Sequence, residues 1–268
     1  MGSLPRPGQG ARFKYILAAA SALLLAAPGL ARAQDSYPNK AITFIVPYAA
    51  GGSSDTRSRQ LAQKLGERLH VPVVVENKPG ASGNIGTAQI ARAAPDGYTI
   101  GLGNFAPLSV NKSLYGGNLG FDPDQGIAPI VLIERGAMVL GVNSQSPYRN
   151  VADLVKAAKA NPDKLNYATT GAGSASHLVT ELFQGNAGIV ATHVPYRGGA
   201  PAVNDLMAGN VDFYLELASL FIPYAKGDQP RLRLMAVSAD KRLAALPDVP
   251  TFQELGVPNI WWRRTGSA

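Results

Sequence analysis

Three glycine-rich segments stand where an apolar, β-branched run gives way to a helical pattern. The first follows the run Ile42–Val46 and includes Tyr48, Ala50, Gly51, Gly52, Ser53, Ser54 and Asp55. Glycines let a backbone bend sharply and approach a ligand closely, and the amides at a helix N-terminus bind anions without any Lys or Arg. Taken alone, this segment is more typical of an ordinary strand-to-helix turn.

Two further segments repeat the arrangement. Stretch 167–177 has glycines and hydroxyls before a helix start, and its candidate ligand residues are Thr170, Gly173, Ser174, Ala175 and Ser176. Stretch 100–106 ends another strand with Asn104 and Phe105. In open α/β sheets, ligands bind outside the carboxyl ends of the strands. Three small-residue loops at three strand ends therefore predict one site of carboxylate size.

Other chemistries fit the sequence poorly. The pattern Gly101-x-Gly103-x-x-Ala106 loosely matches a dinucleotide-binding fingerprint, but Pro107 follows where the helix should begin. The sequence contains neither GK[ST] for nucleotide phosphates nor the G-x-S-x-G of a hydrolase. Its three histidines are far apart in sequence and lack the spacing of metal ligands. We therefore predict no enzymatic activity, no cofactor and no metal site.

The elements that must position these loops alternate between strands and helices. The predicted strands are Ile42–Val46, Val71–Glu76, Thr99–Gly103, Ala128–Ile133, Met138–Val142, Leu165–Thr169, Val190–Val194, Val211–Glu216 and Leu232–Val237. The predicted helices are Asp55–Leu69, Ile85–Ala93, Val151–Asn161, Ser176–Asn186, Ala200–Ala208 and Leu220–Lys226. This alternation predicts βαβ units and mainly parallel sheets, and the length predicts two lobes.

Residues 1–33 have the pattern of a secretory signal peptide. A basic start is followed by the apolar run Tyr15–Leu30 and by small residues at Ala31 and Ala33. We predict cleavage after Ala33 and export to the periplasm of a Gram-negative bacterium. Pro28 and Gly29 interrupt the run, which falls short of the ~20 apolar residues of a spanning helix.

Charge and cysteine content narrow the classes of partner. The chain has 25 Lys and Arg against 18 Asp and Glu. Four of the basic residues lie in 1–33, so the balance after predicted cleavage is 21 against 18, or +3. These charges are scattered rather than clustered, which argues against a nucleic-acid partner. With no cysteine there is neither a disulfide nor a lipid-attachment site, so the core alone must hold the fold. We expect a monomer.

Five stretches of the sequence resemble one family. They are YPNKAITFIVPYAAGGSSD, VVVENKPGASGNIGTAQIARAAPDGYTI, KLNYATTGAGSASH, HVPYRGGAPAVNDLMAGNVDF and LPDVPTFQELGVP. Together they resemble the Bug-type receptors, the extracytoplasmic binding proteins related to tripartite tricarboxylate transporters. The most specific stretch is ENKPGASGNIG followed by PDGYT. The resemblance covers about Tyr37 to Pro258.

The resemblance implies a type II periplasmic-binding-protein fold, or Venus flytrap: two α/β lobes, joined by crossover strands, that close around a small carboxylate. We place lobe 1 at 37–137 and 238–268, and lobe 2 at 138–237. The implied ligand loops are 48–55, 103–105, 170–176 and 195–197, with Tyr196 and Glu216 as further contacts. The ENKPGASGNIG loop is interpreted as architectural and is not included in the predicted site.

The implied function is capture of an organic acid or acidic amino acid for membrane transporter subunits. The alternatives are a receptor that signals to a sensor kinase and an enzyme acting on a small organic acid. Similarity ends near Pro258, whereas family members continue for several tens of residues, so Ile260–Ala268 is interpreted as the unrelated tail of a shortened chain. We expect such a chain to expose apolar surface on lobe 1 and to aggregate.

Overall fold

The computed structural model describes Gly2, residues 37–258 and Ile260. The chain divides into two compact units, Met1–Asn39 and Lys40–Ala268. Of the first unit, only Gly2 and residues 37–39 are described, and Tyr37 is exposed. The predicted signal peptide, its cleavage point after Ala33 and the tail 261–268 lie outside the described residues. No helix in the described part is long and apolar enough to cross a membrane.

A three-stranded parallel sheet forms the first part of the second unit. Its strands are β1 (Ile42–Val46), β2 (Val73–Asn77) and β3 (Thr99–Gly101), in the order β2-β1-β3. Its helices are α1 (Ser53–Leu69), α2 (Asn84–Arg92) and α3 (Asn111–Tyr115). Phe44, Val46, Ala62 and Leu102 form the buried core between sheet and helix. The strand-helix alternation places the loops after β1 and β3 at the same edge of this sheet.

A five-stranded sheet forms the second part. Its strands are β4 (Met138–Asn143), β5 (Asn166–Thr169), β6 (Thr192–Pro195), β7 (Phe213–Leu217) and β8 (Leu232–Ser238). Its helices are α4 (Val151–Ala160), α5 (Ala175–Ala187), α6 (Gly199–Ala208) and α7 (Ala218–Ala225). The strand order is β6-β5-β7-β4-β8. Strands β5, β6 and β7 are parallel, whereas β4 runs antiparallel to β7 and β8.

Strands β4 and β7 are buried on both faces of the second sheet, which explains their nearly continuous apolar sequences. Met138, Leu140 and Val142 point into one core cluster, and Val139 points into the other. This alternation is the period of two that a β-strand imposes on its side chains. The prediction of mainly parallel pairing is confirmed for the strand pairs β1–β2, β1–β3, β5–β6 and β5–β7, and the two antiparallel pairs both involve β4.

One predicted strand is not formed, and one helical segment was not predicted. The stretch Ala128–Ile133 pairs with no strand among the described residues, and Ile130, Val131 and Leu132 are 81%, 74% and 63% exposed. The segment 106–115 is helical, although Pro107 was taken to exclude a helix there. A proline in the first turn removes no helical hydrogen bond, because that N–H has no partner inside the helix.

The segment after β8 packs differently from the prediction. Phe252 and Ile260 are buried in a core cluster of the second sheet, and the Phe252 ring lies 5.4 Å from that of Phe183. Thr251 pairs with Val237 of β8. The sequence assigned 238–268 to lobe 1. The described residues of that segment instead pack on the second sheet, because their apolar side chains complete its core.

Candidate functional site

A cavity of about 210 Å³ lies between loops of the two sheets. The first sheet and its loops supply Tyr48, Gly80, Ala81, Ser82, Gly83 and Tyr115. The second contributes Thr170, Gly171, Ala172, Pro195, Tyr196 and Arg197. Among these described lining residues, Arg197 is a cation and none is acidic. An anion is therefore the charge type that this cavity suits.

Two of the tyrosines that line the cavity, Tyr48 and Tyr196, remain neutral. Tyr48 is buried, and burial followed by the negative charge of Glu216 raises its pKa. Burial also raises the pKa of Tyr196, whose hydroxyl donates to Asp205 Oδ2 at 2.6 Å on α6. The Tyr196 hydroxyl is thus engaged by the protein, although the residue lines the cavity.

The loop after β5 is held by a network of hydroxyls. Ser176 Oγ accepts from the Thr170 amide at 3.0 Å and lies 3.0 Å from Ser174 Oγ. Ser174 is the N-cap of α5, with its Oγ accepting from the His177 amide at 3.3 Å. Both serines are buried. Of the predicted ligand residues in this loop, only Thr170 lines the cavity; Gly173, Ser174, Ala175 and Ser176 do not.

Two histidines support the same loop. The rings of His177 and His193 stack with centroids 4.3 Å apart, although the sequence separates them widely. His177 Nδ1 accepts from the Gly173 amide at 3.1 Å. His193 Nε2 lies 2.6 Å from Thr169 Oγ1, which also accepts from the Gly171 amide. Burial lowers the pKa of both histidines, so the neutral form is favoured in the fold.

The loop after β1 is organised by Asp55. Its carboxylate accepts from the Gly51 amide, Arg59 Nε and Asn77 Nδ2 at 2.9–3.0 Å. Burial alone would raise the pKa of Asp55, but these hydrogen bonds lower it overall. The carboxylate is thereby occupied in joining the loop, α1 and β2, and it does not line the cavity.

The other predicted residues line either a second cavity or no cavity at all. Gly51 and Ser53 line a smaller cavity of about 130 Å³, together with Thr56, Arg57, Ser219, Leu220, Pro223 and Tyr224. Ala50, Gly52, Ser54, Asn104 and Phe105 line neither cavity. Gly52 packs on the second sheet's loops instead, since a Cβ there would lie 3.3 Å from the Gly199 amide.

Glu216 lies fully buried at the end of β7. It accepts from the Tyr214 hydroxyl at 2.7 Å and from the Leu217 amide at 2.9 Å. Burial raises its pKa, and the two hydrogen bonds offset this only in part. Glu216 does not line the cavity.

The predicted site did not include one wall of the cavity. Residues 80–83 belong to the ENKPGASGNIG loop, which was interpreted as architectural, yet all four line the cavity. Ala81 and Ser82 have φ of 46° and 53°, in the left-handed region that non-glycine residues rarely adopt. The available signal was the concentration of small residues between two glycines, the same signal that identified the other loops.

Two hydrogen bonds join the two sheets' loops beside the cavity. Ser82 Oγ donates to the Ala172 carbonyl at 2.6 Å, and the Ala49 amide donates to the Arg197 carbonyl at 3.0 Å. Both contacts connect segments that are at least ninety residues apart in sequence. The loops therefore meet around the cavity instead of leaving it open between them.

Known proteins share this sequence and architecture. The family described as the tripartite tricarboxylate transporter family receptor matches residues 58–263. BugT of Bordetella pertussis is 36% identical over 247 residues, which are 91% of this chain and 75% of BugT. The UPF0065 protein in the gbd 5' region of Cupriavidus necator is 34% identical over 242 residues, covering 90% of this chain and 72% of that protein.

Solved structures agree with the fold. An R. palustris protein solved with adipate has a TM-score of 0.80 at 34% identity, covering 84% of this chain and 75% of the other. MatC from Rhodopseudomonas palustris with bound malate has a TM-score of 0.78 at 28% identity, covering 84% and 76%. The periplasmic binding protein BugD has a TM-score of 0.76 at 36% identity, covering 84% and 74%. The predicted two-lobed periplasmic-binding-protein fold is confirmed.

Proposed function

The chain belongs to the tripartite tricarboxylate transporter receptor family, and from that premise we propose that it captures a small carboxylate in the cavity between its two lobes. Membrane transporter subunits of the tripartite type receive the ligand. The family and its periplasmic relatives support a periplasmic location. We also propose that the chain is exported by a signal peptide that is cleaved after Ala33.

The observation that favours a carboxylate is the charge of the cavity wall. Arg197 lines the cavity, and none of its other described lining residues is charged. Arg197 has no ion pair among the described residues, so its guanidinium is available for bidentate bonds to a ligand carboxylate. Malate and adipate, bound in two similar structures, are both dicarboxylates of the size class that such a cavity admits.

The hydrogen bonds of the side chains near the cavity support binding without turnover. The hydroxyls and histidines near the cavity are engaged in holding loops, as the network of Thr170, Ser174 and Ser176 shows. The relatives are solute-binding receptors. We infer that the ligand leaves unchanged.

A thermal-shift screen tests the proposal directly. Malate, adipate, citrate and glutamate are compared with the diamide of adipic acid, a sugar and a nucleotide. A ligand present at about 100 times its Kd adds about 2.7 kcal/mol to the free energy of unfolding. Stabilisation by sugars or nucleotides alone would contradict carboxylate capture, and consumption of the acid in the same mixture would contradict binding without turnover.

The variant Arg197→Gln tests whether this arginine binds the ligand carboxylate. Loss of a charge-assisted hydrogen bond costs about 1.5–3 kcal/mol, so the affinity for the bound acid should fall at least tenfold by calorimetry. The matched control is Arg149→Gln, which removes an exposed arginine that does not line the cavity. Equal affinities for the two variants would exclude Arg197 from the site.

A further inference from the structure

Ser82 occupies an unusual position on the cavity wall. It is buried, with 8% of its surface exposed, and its φ of 53° follows a φ of 46° at Ala81. Two successive non-glycine residues in the left-handed region cost free energy, and such strain persists only where the surroundings enforce it. The loop 80–83 is thus held in a conformation that local preference does not favour.

The first lobe holds this loop from behind. The Tyr48 hydroxyl donates to the Ser82 carbonyl at 3.4 Å, and the Gly83 amide donates to the Gly80 carbonyl at 3.0 Å. A Cβ at Gly83 would lie 3.0 Å from the Tyr48 hydroxyl, so the two segments pack tightly. The direction of the Ser82 side chain is fixed by these contacts.

The second lobe is shaped to receive that side chain. Ser82 Oγ donates to the Ala172 carbonyl at 2.6 Å. The neighbouring Gly171 has φ of 121°, and a Cβ there would lie 2.5 Å from Ser82 Oγ. A side chain at 171 would therefore both strain the backbone and expel the serine hydroxyl. Gly171 and Ala172 line the same cavity as Ser82.

From this geometry we propose that Ser82 is a positioning residue that fastens the loop 80–83 to the loop 170–172 across the cavity and so slows ligand release. The proposal rests on the proposed function, which supplies the ligand. Ser82 does not recognise the ligand's charge; it stabilises the arrangement in which both loops enclose it. Its contribution is expected in the dissociation rate, because the contact forms only once the loops have met.

Ser82→Gly separates this role from a merely structural one. Glycine adopts φ of 53° without strain, so the melting temperature of the ligand-free variant should equal or exceed that of the wild type. The dissociation rate of malate or adipate, measured by stopped-flow with each acid separately, should rise between about twofold and tenfold, with an unchanged association rate. A structural role would lower stability and affinity together.

Ser58→Ala is the matched control. Ser58 is fully buried, and its Oγ has no hydrogen-bond partner among the described residues. This variant loses a buried serine hydroxyl outside the cavity and should keep the wild-type dissociation rate. A dissociation rate for Ser82→Gly equal to that of Ser58→Ala would overturn the proposal.

A ligand-independent measurement keeps the two proposals distinguishable. Since the sequence contains no cysteine, Arg68→Cys and Lys156→Cys place one spin label on an exposed helix of each lobe. In ligand-free protein, Ser82→Gly should shift the distance distribution toward longer values, and an unchanged distribution would overturn the role of Ser82. Failure of every acid to bind the wild type would contradict the proposed function while leaving this distance test decisive for Ser82.

Discussion

At the scale of single residues, Glu216 is the group most at odds with a site for anions. It is fully buried, it has no ion pair among the described residues, and its bonds come from the Tyr214 hydroxyl and the Leu217 amide. An ionised Glu216 would repel a ligand carboxylate in a medium of low dielectric. A raised pKa reduces that repulsion because it favours the neutral carboxyl.

Glu216→Gln should therefore change how stability depends on pH. A raised pKa means that the folded state retains a proton that the unfolded state has released. The free energy of unfolding of the wild type then declines as pH rises from about 4.3, the ordinary value for Glu, through the raised folded pKa. Glutamine does not ionise, so the variant lacks this decline. Urea unfolding between about pH 4 and pH 8 should show that the unfolding free energy of the variant increases relative to that of the wild type as pH rises. A difference that does not depend on pH would contradict the raised pKa of Glu216.

Residue types were easier to predict than the direction in which each side chain points. The sequence identified small, hydroxyl-rich loops, and Tyr48, Thr170 and Tyr196 do line the cavity. The predicted site included Ser174 and left out Ser82, because the ENKPGASGNIG loop was interpreted as architectural. The structure uses the Ser174 hydroxyl to cap α5, whereas Ser82 points across the cavity. Both serines lie in glycine-rich stretches, so composition alone could not separate them.

At the scale of elements, the cap of α5 gives a test of the loop after β5. Ser174→Ala removes the acceptor for the His177 amide, and loss of a serine N-cap costs about 0.5–2 kcal/mol. We expect the free energy of unfolding to fall by that amount while affinity, measured well below the melting temperature, stays at the wild-type value. A tenfold loss of affinity at unchanged stability would instead make Ser174 a ligand contact, as the sequence predicted.

The stacked histidines make the same loop sensitive to acid. His177 Nδ1 accepts from the Gly173 amide, and a protonated imidazole has no acceptor nitrogen. The groups that face the pair are Glu181, with its Oε1 3.9 Å from His177 Nε2, the Tyr167 hydroxyl and Thr169. Burial lowers the pKa of both histidines more than Glu181 raises it.

The sign of the pH effect follows from that shift. With folded pKa values below the unfolded value of about 6.5, stability is complete above this pH and declines as pH falls through the folded pKa. His177→Gln keeps an acceptor for Gly173 but cannot titrate. Its unfolding free energy should fall less steeply than that of the wild type below about pH 6.5. Parallel curves for the two proteins would exclude His177 as the titrating group.

Strands were predicted well where the segment is buried and paired inside a sheet. Strand β1 matches its predicted bounds, and β4 and β8 match within one residue, because short, mostly apolar and largely buried runs favour a strand inside a covered sheet. The same composition at Ala128–Ile133 predicted a strand that the structure does not form. A strand requires a backbone partner, and a single segment's sequence does not reveal whether one is present.

At the scale of the whole molecule, the two lobes differ in how complete their sheets are. The second sheet has five strands with both faces covered, and the segment after β8 adds Phe252 and Ile260 to its core. The first sheet has three strands and the smaller core cluster. We propose that the lobe boundary lies before β4, with the described residues after β8 belonging to the second lobe.

The apolar run Ile130–Leu132 gives the last prediction. Ile133 packs on the core of the first sheet, while the three residues before it are exposed. Consecutive exposed β-branched and aliphatic residues with unpaired backbone favour association with another chain. We expect the sedimentation coefficient of the protein to rise with concentration. Val131→Lys should abolish that rise and change stability by less than about 0.5 kcal/mol, because Val131 is solvent-exposed. Leu182→Lys, at a single exposed leucine on α5, should leave association unchanged. A wild-type protein that stays monomeric at every concentration would show that this run is tolerated in solution.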